Sequence, residues 1–186
     1  MTALDPDAAA PRRPSRPIVA ASVVTGLAAT ALLLAQGWWL PALLMTVATL
    51  AAALVPVLRL PRALVAVLAV ASVVNGASIA WNWYEAWDPF DRWAHFLNHV
   101  VLVAPSMIWF ERARLVPARA DGAGFVAWAA AYGLALALAW EAIELLFWTF
   151  PLADTLSDVA LGVLGSAFAG WWAGRIVAAS RGGASA

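Results

Sequence analysis

Apolar residues in this chain run in long blocks broken by short polar punctuation, with neither the alternation of a half-buried strand nor the single stripe of a surface helix. Six such blocks cover residues 18–36, 39–58, 63–84, 93–110, 124–150 and 155–178. A helix rises about 1.5 Å per residue, so crossing a hydrocarbon core of about 30 Å takes roughly 20 residues, and each block is near that length. The breaks carry Gly37 and Pro41, Pro61, Asp88-Pro89, Pro117 with Asp121-Gly122, and Pro151, residues that stop helices or start turns. The pattern predicts an all-α membrane protein, a six-helix transmembrane bundle over residues 18–178 with short loops. Residues 1–17 hold Pro11, Pro14, Pro17, Arg12, Arg13 and Arg16 with little apolar content, the composition of a flexible tail, and residues 179–186 form a second tail. The first block follows those arginines as a signal peptide would. It exceeds the usual apolar region of about 7–15 residues and lacks a cleavage site, so it reads as the first membrane helix.

Composition agrees: 64% of the 186 residues are hydrophobic and 12% charged, against about a quarter charged in an ordinary soluble domain. No cysteine is present, which removes disulfides, thiolate nucleophiles and Cys metal sites and leaves His and carboxylates as metal ligands. Net charge is +0, which offers no basis for a nucleic-acid partner. All basic residues are arginine, and their placement gives an orientation, because basic residues near helix ends favour the cytoplasmic side. Counting helices in order gathers Arg12, Arg13, Arg16, Arg59, Arg62, Arg112, Arg114, Arg119, Arg175 and Arg181 inside and leaves Arg92 alone outside. Both termini are therefore expected in the cytoplasm. Trp38, Trp39, Trp81, Trp83, Trp87, Trp93, Trp140 and Trp148 then fall toward the outer interface, where amphipathic rings are favoured. High Ala, Arg and Gly usage without lysine points to a bacterial source, hence a multi-pass protein of the plasma (inner) membrane with membrane lipids as its surroundings.

In that arrangement Glu85, Asp88, Asp91, Glu141, Glu144, Asp154 and Asp158 map to the outer loops or outer helix ends, with His95 and, deeper, His99. An ionisable group inside a membrane helix costs about 2.5–3.5 kcal/mol on insertion scales, so it marks a functional site or a paired network. Asp88-Pro89 reads as an N-cap followed by proline at the first helical position, which puts Asp91 in the first turn where the helix dipole favours an anion. At about 100° per residue, Asp91, His95 and Asn98 share one face, with His99 on its edge. Alone, such a histidine is as well explained by an ordinary interfacial position. Glu141 and Glu144, at i and i+3, point to similar sides and repel if both are ionised. They precede Phe147, Trp148 and Phe150, so they lie below the headgroups and need a cation, a proton or donors; one protonated glutamate bonding its neighbour would also suffice.

Thr155-Leu156-Ser157-Asp158 has the form of a capping box, in which Asp158 returns to the cap amide. The same Asp158 lies in a narrow arc with Gly162, Gly165 and Ala169, where small residues let another helix approach, which would turn it toward the bundle. Gly162, Ser166, Gly170 and Gly174 form a small-residue series at spacing four that suits packing. Asn75 and Asn82, seven apart, share a face in a continuous helix and suit interhelical hydrogen bonding. Arg92 is able to pair Asp88 or Asp91, or to take an anionic headgroup through its planar fork. With Asn98 and Asn82 it makes up the candidate substrate-binding set.

Asp91-Arg92-Trp93-Ala94-His95-Phe96, Glu141-x-x-Glu144 and Thr155-x-x-Asp158-x-x-x-Gly162-x-x-Gly165 together resemble the pattern of YjdF-type and VanZ-like small membrane proteins, over roughly the C-terminal half. The resemblance implies that Asp91, His95, Glu141, Glu144 and Asp158 are the family positions, and implies little about the reaction. VanZ-like proteins are associated with reduced susceptibility to glycopeptide antibiotics. This chain departs from that pattern in having Glu144 where Gln is usual and no arginine in the short loop before Asp158.

These residues lead to an outward-facing pocket between the fourth, fifth and sixth helices, suited to a hydrolase or transferase acting on a lipid or cell-envelope precursor. His95, Glu141, Glu144 and Asp158 either bind one divalent metal ion or divide acid and base roles, and Asp91 orients His95. A proton-coupled transporter using Glu141 and Glu144 is a second reading, disfavoured by the few ionisable groups in the inner halves of the spans. A non-catalytic scaffold whose polar cluster fixes helix register is the third. The orientation is testable at once: single cysteines at Asp88 and Leu152 should react with an impermeant thiol reagent added outside intact cells, and one at Ala118 should not. Labelling of Ala118, or protection of both outer sites in a well-expressed protein, would reverse it.

Overall fold

The computed structural model describes residues 16–39, 42, 43, 45, 46, 49, 50, 53, 60, 62–120, 122–147 and 149–182. The predicted N-terminal tail up to residue 15, most of the second block with Pro41 and Arg59, and Asp121, Trp148 and residues 183–186 lie outside them. The elements are α1 (Arg16–Ala35), α2 (Arg62–Ala80), α3 (Trp83–Ala86), α4 (Asp88–Arg112), α5 (Ala123–Phe147) and α6 (Leu152–Gly182). Described positions of the second block, Ala42, Thr46 and Thr49 among them, are helical, and no strand occurs among the described residues. Three helices are long and apolar enough to cross a membrane, over Pro89–Arg112, Ala123–Leu146 and Leu152–Arg181, while the apolar helix Val19–Ala35 is shorter.

Local chemistry moves several expected boundaries. The third block is not one helix: α2 ends at Ala80, and Asn82 takes a left-handed conformation (φ 54°) ahead of the single turn α3. Asparagine tolerates that region better than most residues. Asn75 and Asn82 therefore share no helical face. At the start of α4 the cap is Trp87, not Asp88, and Pro89 occupies the first turn, where its missing N–H has no intrahelical acceptor to lose. α4 closes with a Schellman arrangement in which Arg114 N–H bonds Glu111 C=O at 3.0 Å and Leu115 N–H bonds Phe110 C=O at 2.8 Å. The residue in the left-handed position there is Arg114, φ 58°. α6 begins at Leu152, three residues before the expected Thr155.

α6 is the central helix, with α4 and α5 packed along it and touching one another far less. α4 and α6 run parallel. Near their starts His95 meets Asp158, farther along Gly165 lies under the Phe96 backbone, and at their ends Arg181 pairs with Glu111. α5 returns antiparallel, so that Gly133 faces Ser166, Ala129 faces Gly170 and Phe125 faces Gly174. The expected small-residue series is thus a packing seam shared by two neighbours. A Cβ on Gly165 would collide with the Phe96 carbonyl and one on Gly170 with Ala129. α1 and α2 pack on each other, and α2 rests against α4. The main apolar core joins Leu64 and Leu68 of α2, Val103 and Met107 of α4, Phe125 of α5 and Ala173 of α6.

The outside of the helices is apolar as well. Leu97, Leu102 and Trp109 on α4, Leu138 and Leu146 on α5, and Leu164, Phe168 and Trp171 on α6 are all exposed, with Leu146 at 78%. Apolar surface spread this widely is far beyond the patch an aqueous monomer carries, and is what a hydrocarbon solvent requires.

Because lipid gives no hydrophobic drive to helix association, the seam rests on close van der Waals contact. Gly165→Leu and Gly162→Leu should lower the melting temperature in detergent, each at an overpacking penalty of about 1–3 kcal/mol or more. Leu164→Ala and Leu156→Ala, at positions 59% and 60% exposed, should change it little. Equal effects in the two sets would place the helix contact elsewhere.

Candidate functional site

His95 lies near the start of α4 with its side chain 10% exposed. One helical turn earlier, Asp91 brings Oδ1 to 3.6 Å from His95 Nε2, and across the seam Asp158 of α6 brings Oδ2 to 3.8 Å. Because α6 starts at Leu152, Thr155 is inside the helix and no capping box forms. Asp158, 3% exposed, is turned to α4, with the Ser157 hydroxyl 3.4 Å from its Oδ1. The narrow arc with Gly162 and Gly165 described its direction correctly, since both glycines face α4.

From α5, Glu141 (5% exposed) and the half-buried Glu144 reach the same histidine. Two triads result, Asp91/His95/Asp158 and His95/Glu141/Glu144, in each of which one ligand atom per residue lies within 4.8 Å of the others. Ions about 2.0–2.6 Å from oxygen or nitrogen donors separate those donors by roughly 3–4.5 Å, so the clusters need only a slight contraction to hold one. One imidazole with carboxylates is a donor set for a hard-to-borderline divalent cation.

Beneath His95 lies a second, smaller polar step. Ser166 donates to the Gly162 carbonyl at 2.7 Å and its oxygen lies 3.0 Å from His99 Nδ1. A hydroxyl has one proton, so Ser166 accepts from His99, and the bonding pattern assigns the Nδ1–H tautomer with the lone pair on Nε2. That nitrogen sits against Gly162, where a Cβ would come within 2.8 Å. Gly162 is therefore the slot for the His99 ring. The sequence placed His99 on the edge of the face and read Ser166 as packing alone. Their partnership was signalled by position only, Ser166 being one turn beyond Gly162 in the small-residue series.

Of the remaining candidates, Asn98 is drawn into a helix pair: Asn75 Nδ2 donates to its Oδ1 at 2.7 Å and its own Nδ2 donates back to Asn75 Oδ1 at 3.2 Å. Tyr84 adds its hydroxyl to Asn75 Oδ1 at 3.1 Å. Tyr84 was not singled out from the sequence; through Asn75 it is tied to Asn98 of α4. Asn82 is exposed in its turn and Arg92 is exposed next to Asp91; neither belongs to the triads.

No family model, curated protein or solved structure matches this chain.

Ser166→Ala should leave His99 without its acceptor at a cost of about 1–3 kcal/mol. Nitrogen-15 NMR of ring-labelled protein in detergent should show His99 protonated at Nδ1 in the parent and redistributed toward Nε2 in the variant. An unchanged tautomer would remove Ser166 from this role.

Proposed function

We propose that this chain is a six-span membrane protein whose His/carboxylate cluster holds one divalent metal ion and hydrolyses, or transfers a group from, a lipid or envelope precursor reached from the outer side. The observation that carries the reading is the sharing of buried His95 by two ligand triads drawn from α4, α5 and α6. Four carboxylates converge on one imidazole. Even a protonated His95 would offset a single negative charge, and removing a carboxylate from water without compensation costs several kcal/mol. A divalent cation supplies that compensation, and with it Lewis acidity toward a phosphoryl or carbonyl oxygen and a more acidic water.

The chain's own residues then divide the work. Asp158 and Asp91 hold His95 from two directions, and Glu141 and Glu144 complete the donor set from α5. The resemblance to YjdF-type and VanZ-like proteins falls on these same five residues. The membrane reading, with both termini cytoplasmic and a bacterial plasma-membrane location, is supported by the apolar helix exteriors and by arginine placement. A substrate with a lipid anchor suits a cluster near the start of α4, in a stretch of chain where Trp87 and Trp93 are exposed. The apolar core that closes the bundle around Val103, Met107 and Phe125 speaks against a proton-coupled carrier with a continuous polar path.

Elemental analysis of protein purified without chelator should find close to one divalent metal per chain. Glu141→Gln, Glu144→Gln and Asp158→Asn keep side-chain shape, and these variants and His95→Ala should bind it at least tenfold more weakly. Metal at 100 times its Kd should stabilise the parent by about 2.7 kcal/mol, read as a melting shift reversed by chelator. A metal-free parent whose melting ignores added metal would defeat the metal reading. Amide variants that fold and still process an envelope-lipid extract at the parental rate would reduce the cluster to a brace.

A further inference from the structure

At the end of the bundle opposite the triads, a cleft of about 250 Å³ is lined by Glu111, Arg114, Arg119 and Arg181 with the loop residues Val116 and Pro117. We infer that this cleft binds the phosphate headgroup of an anionic phospholipid. Three guanidinium groups against one carboxylate leave it a net charge of +2. Glu111 pairs with Arg181 and so orders one wall by joining the ends of α4 and α6.

The second observation concerns Arg114 itself. It occupies the left-handed position of the Schellman turn that ends α4, where glycine is unstrained and a side chain with a Cβ is not. Folding alone favours glycine there. A side chain kept against its backbone preference, with its residue on the wall of a cationic cleft, points to a ligand as the reason. Planar guanidinium forks match the paired oxygens of a phosphodiester. The apolar stretches Pro89–Arg112 and Leu152–Arg181 both finish at this cleft, which puts it at the depth of lipid headgroups, and Leu115, 58% exposed beside Arg114, offers an apolar contact for the glycerol and acyl region. These features select a lipid over a free anion. The inference rests on the reading that the chain spans a membrane, and is independent of the metal chemistry.

Native mass spectrometry of the full chain in detergent, with equal phosphatidylglycerol and phosphatidylcholine, should show phosphatidylglycerol retained in clear preference. Arg114→Gly should melt no lower than the parent without lipid yet lose about fivefold of that retention, the share expected per arginine at a charged membrane surface. Arg119→Ala should lose a similar share. Equal retention of the two lipids, or full retention by both Arg114→Gly and Arg119→Ala, would overturn the proposal. Millimolar inorganic phosphate that displaces the lipid completely would replace the lipid assignment by a free-anion site. A parent that stays dispersed in buffer without detergent would overturn the membrane reading as well, an outcome separate from a detergent-dependent protein with no lipid preference.

Discussion

The arrangement depends on how closely α6 approaches its two neighbours. In hydrocarbon, apolar side chains gain nothing by leaving the solvent, so helices hold together through van der Waals contact and polar links. Both demand short separations, and α6 supplies them by removing side chains: Gly165 under the Phe96 carbonyl, Gly162 under the His99 ring, Gly170 against Ala129, Gly174 against Ala120 and Phe125. A larger residue at any of these would push α6 away from α4 or α5. The first losses would be polar. Asp158 is already 3.8 Å from His95, and an outward shift of about 1 Å would leave a buried carboxylate with the Ser157 hydroxyl but without its imidazole, a penalty of about 1–3 kcal/mol or more for a charged group.

That seam divides the bundle into ends with different chemistry. At one, an imidazole and carboxylates gather; at the other, guanidinium groups and a glutamate line a cleft; between them lies an apolar core of Val103, Met107, Ile108 and Phe125. The Asn75–Asn98 amide pair, capped by Tyr84, braces α4 from the flank that α6 does not reach. α4 is thereby held from both sides in the region that carries Asp91, His95 and His99.

Much of this was legible in the residue pattern because it follows from local rules. Block lengths and their Gly and Pro breaks marked the three long helices to within a few residues, and helical phase placed Asp91 and His95 together and turned Asp158 inward. The four expected ligands His95, Glu141, Glu144 and Asp158 do converge, with Asp91 beside His95, since an ionisable group in an apolar helix has few places to go except toward another polar group. Where the reading failed, two local signals competed. Thr155-x-x-Asp158 is a valid capping box for a helix starting at Thr155, but α6 starts at Leu152, and a helix begun one turn early makes Asp158 an interior residue free to face α4. Asp88 lost its cap role in the same way when α4 took Trp87 as cap, and Asn82 left the face of Asn75 once α2 stopped at Ala80.

The sequence by itself determined that the chain is helical, apolar enough to span a membrane, and ionisable chiefly at block ends. All three are properties of single segments in contact with solvent or lipid. Which carboxylates share one histidine, why Gly162 must lack a side chain, and which arginines line a common cleft were decided by the tertiary structure alone. Those facts depend on the relative rotation and offset of α4, α5 and α6, set by mutual packing of surfaces that no single segment contains.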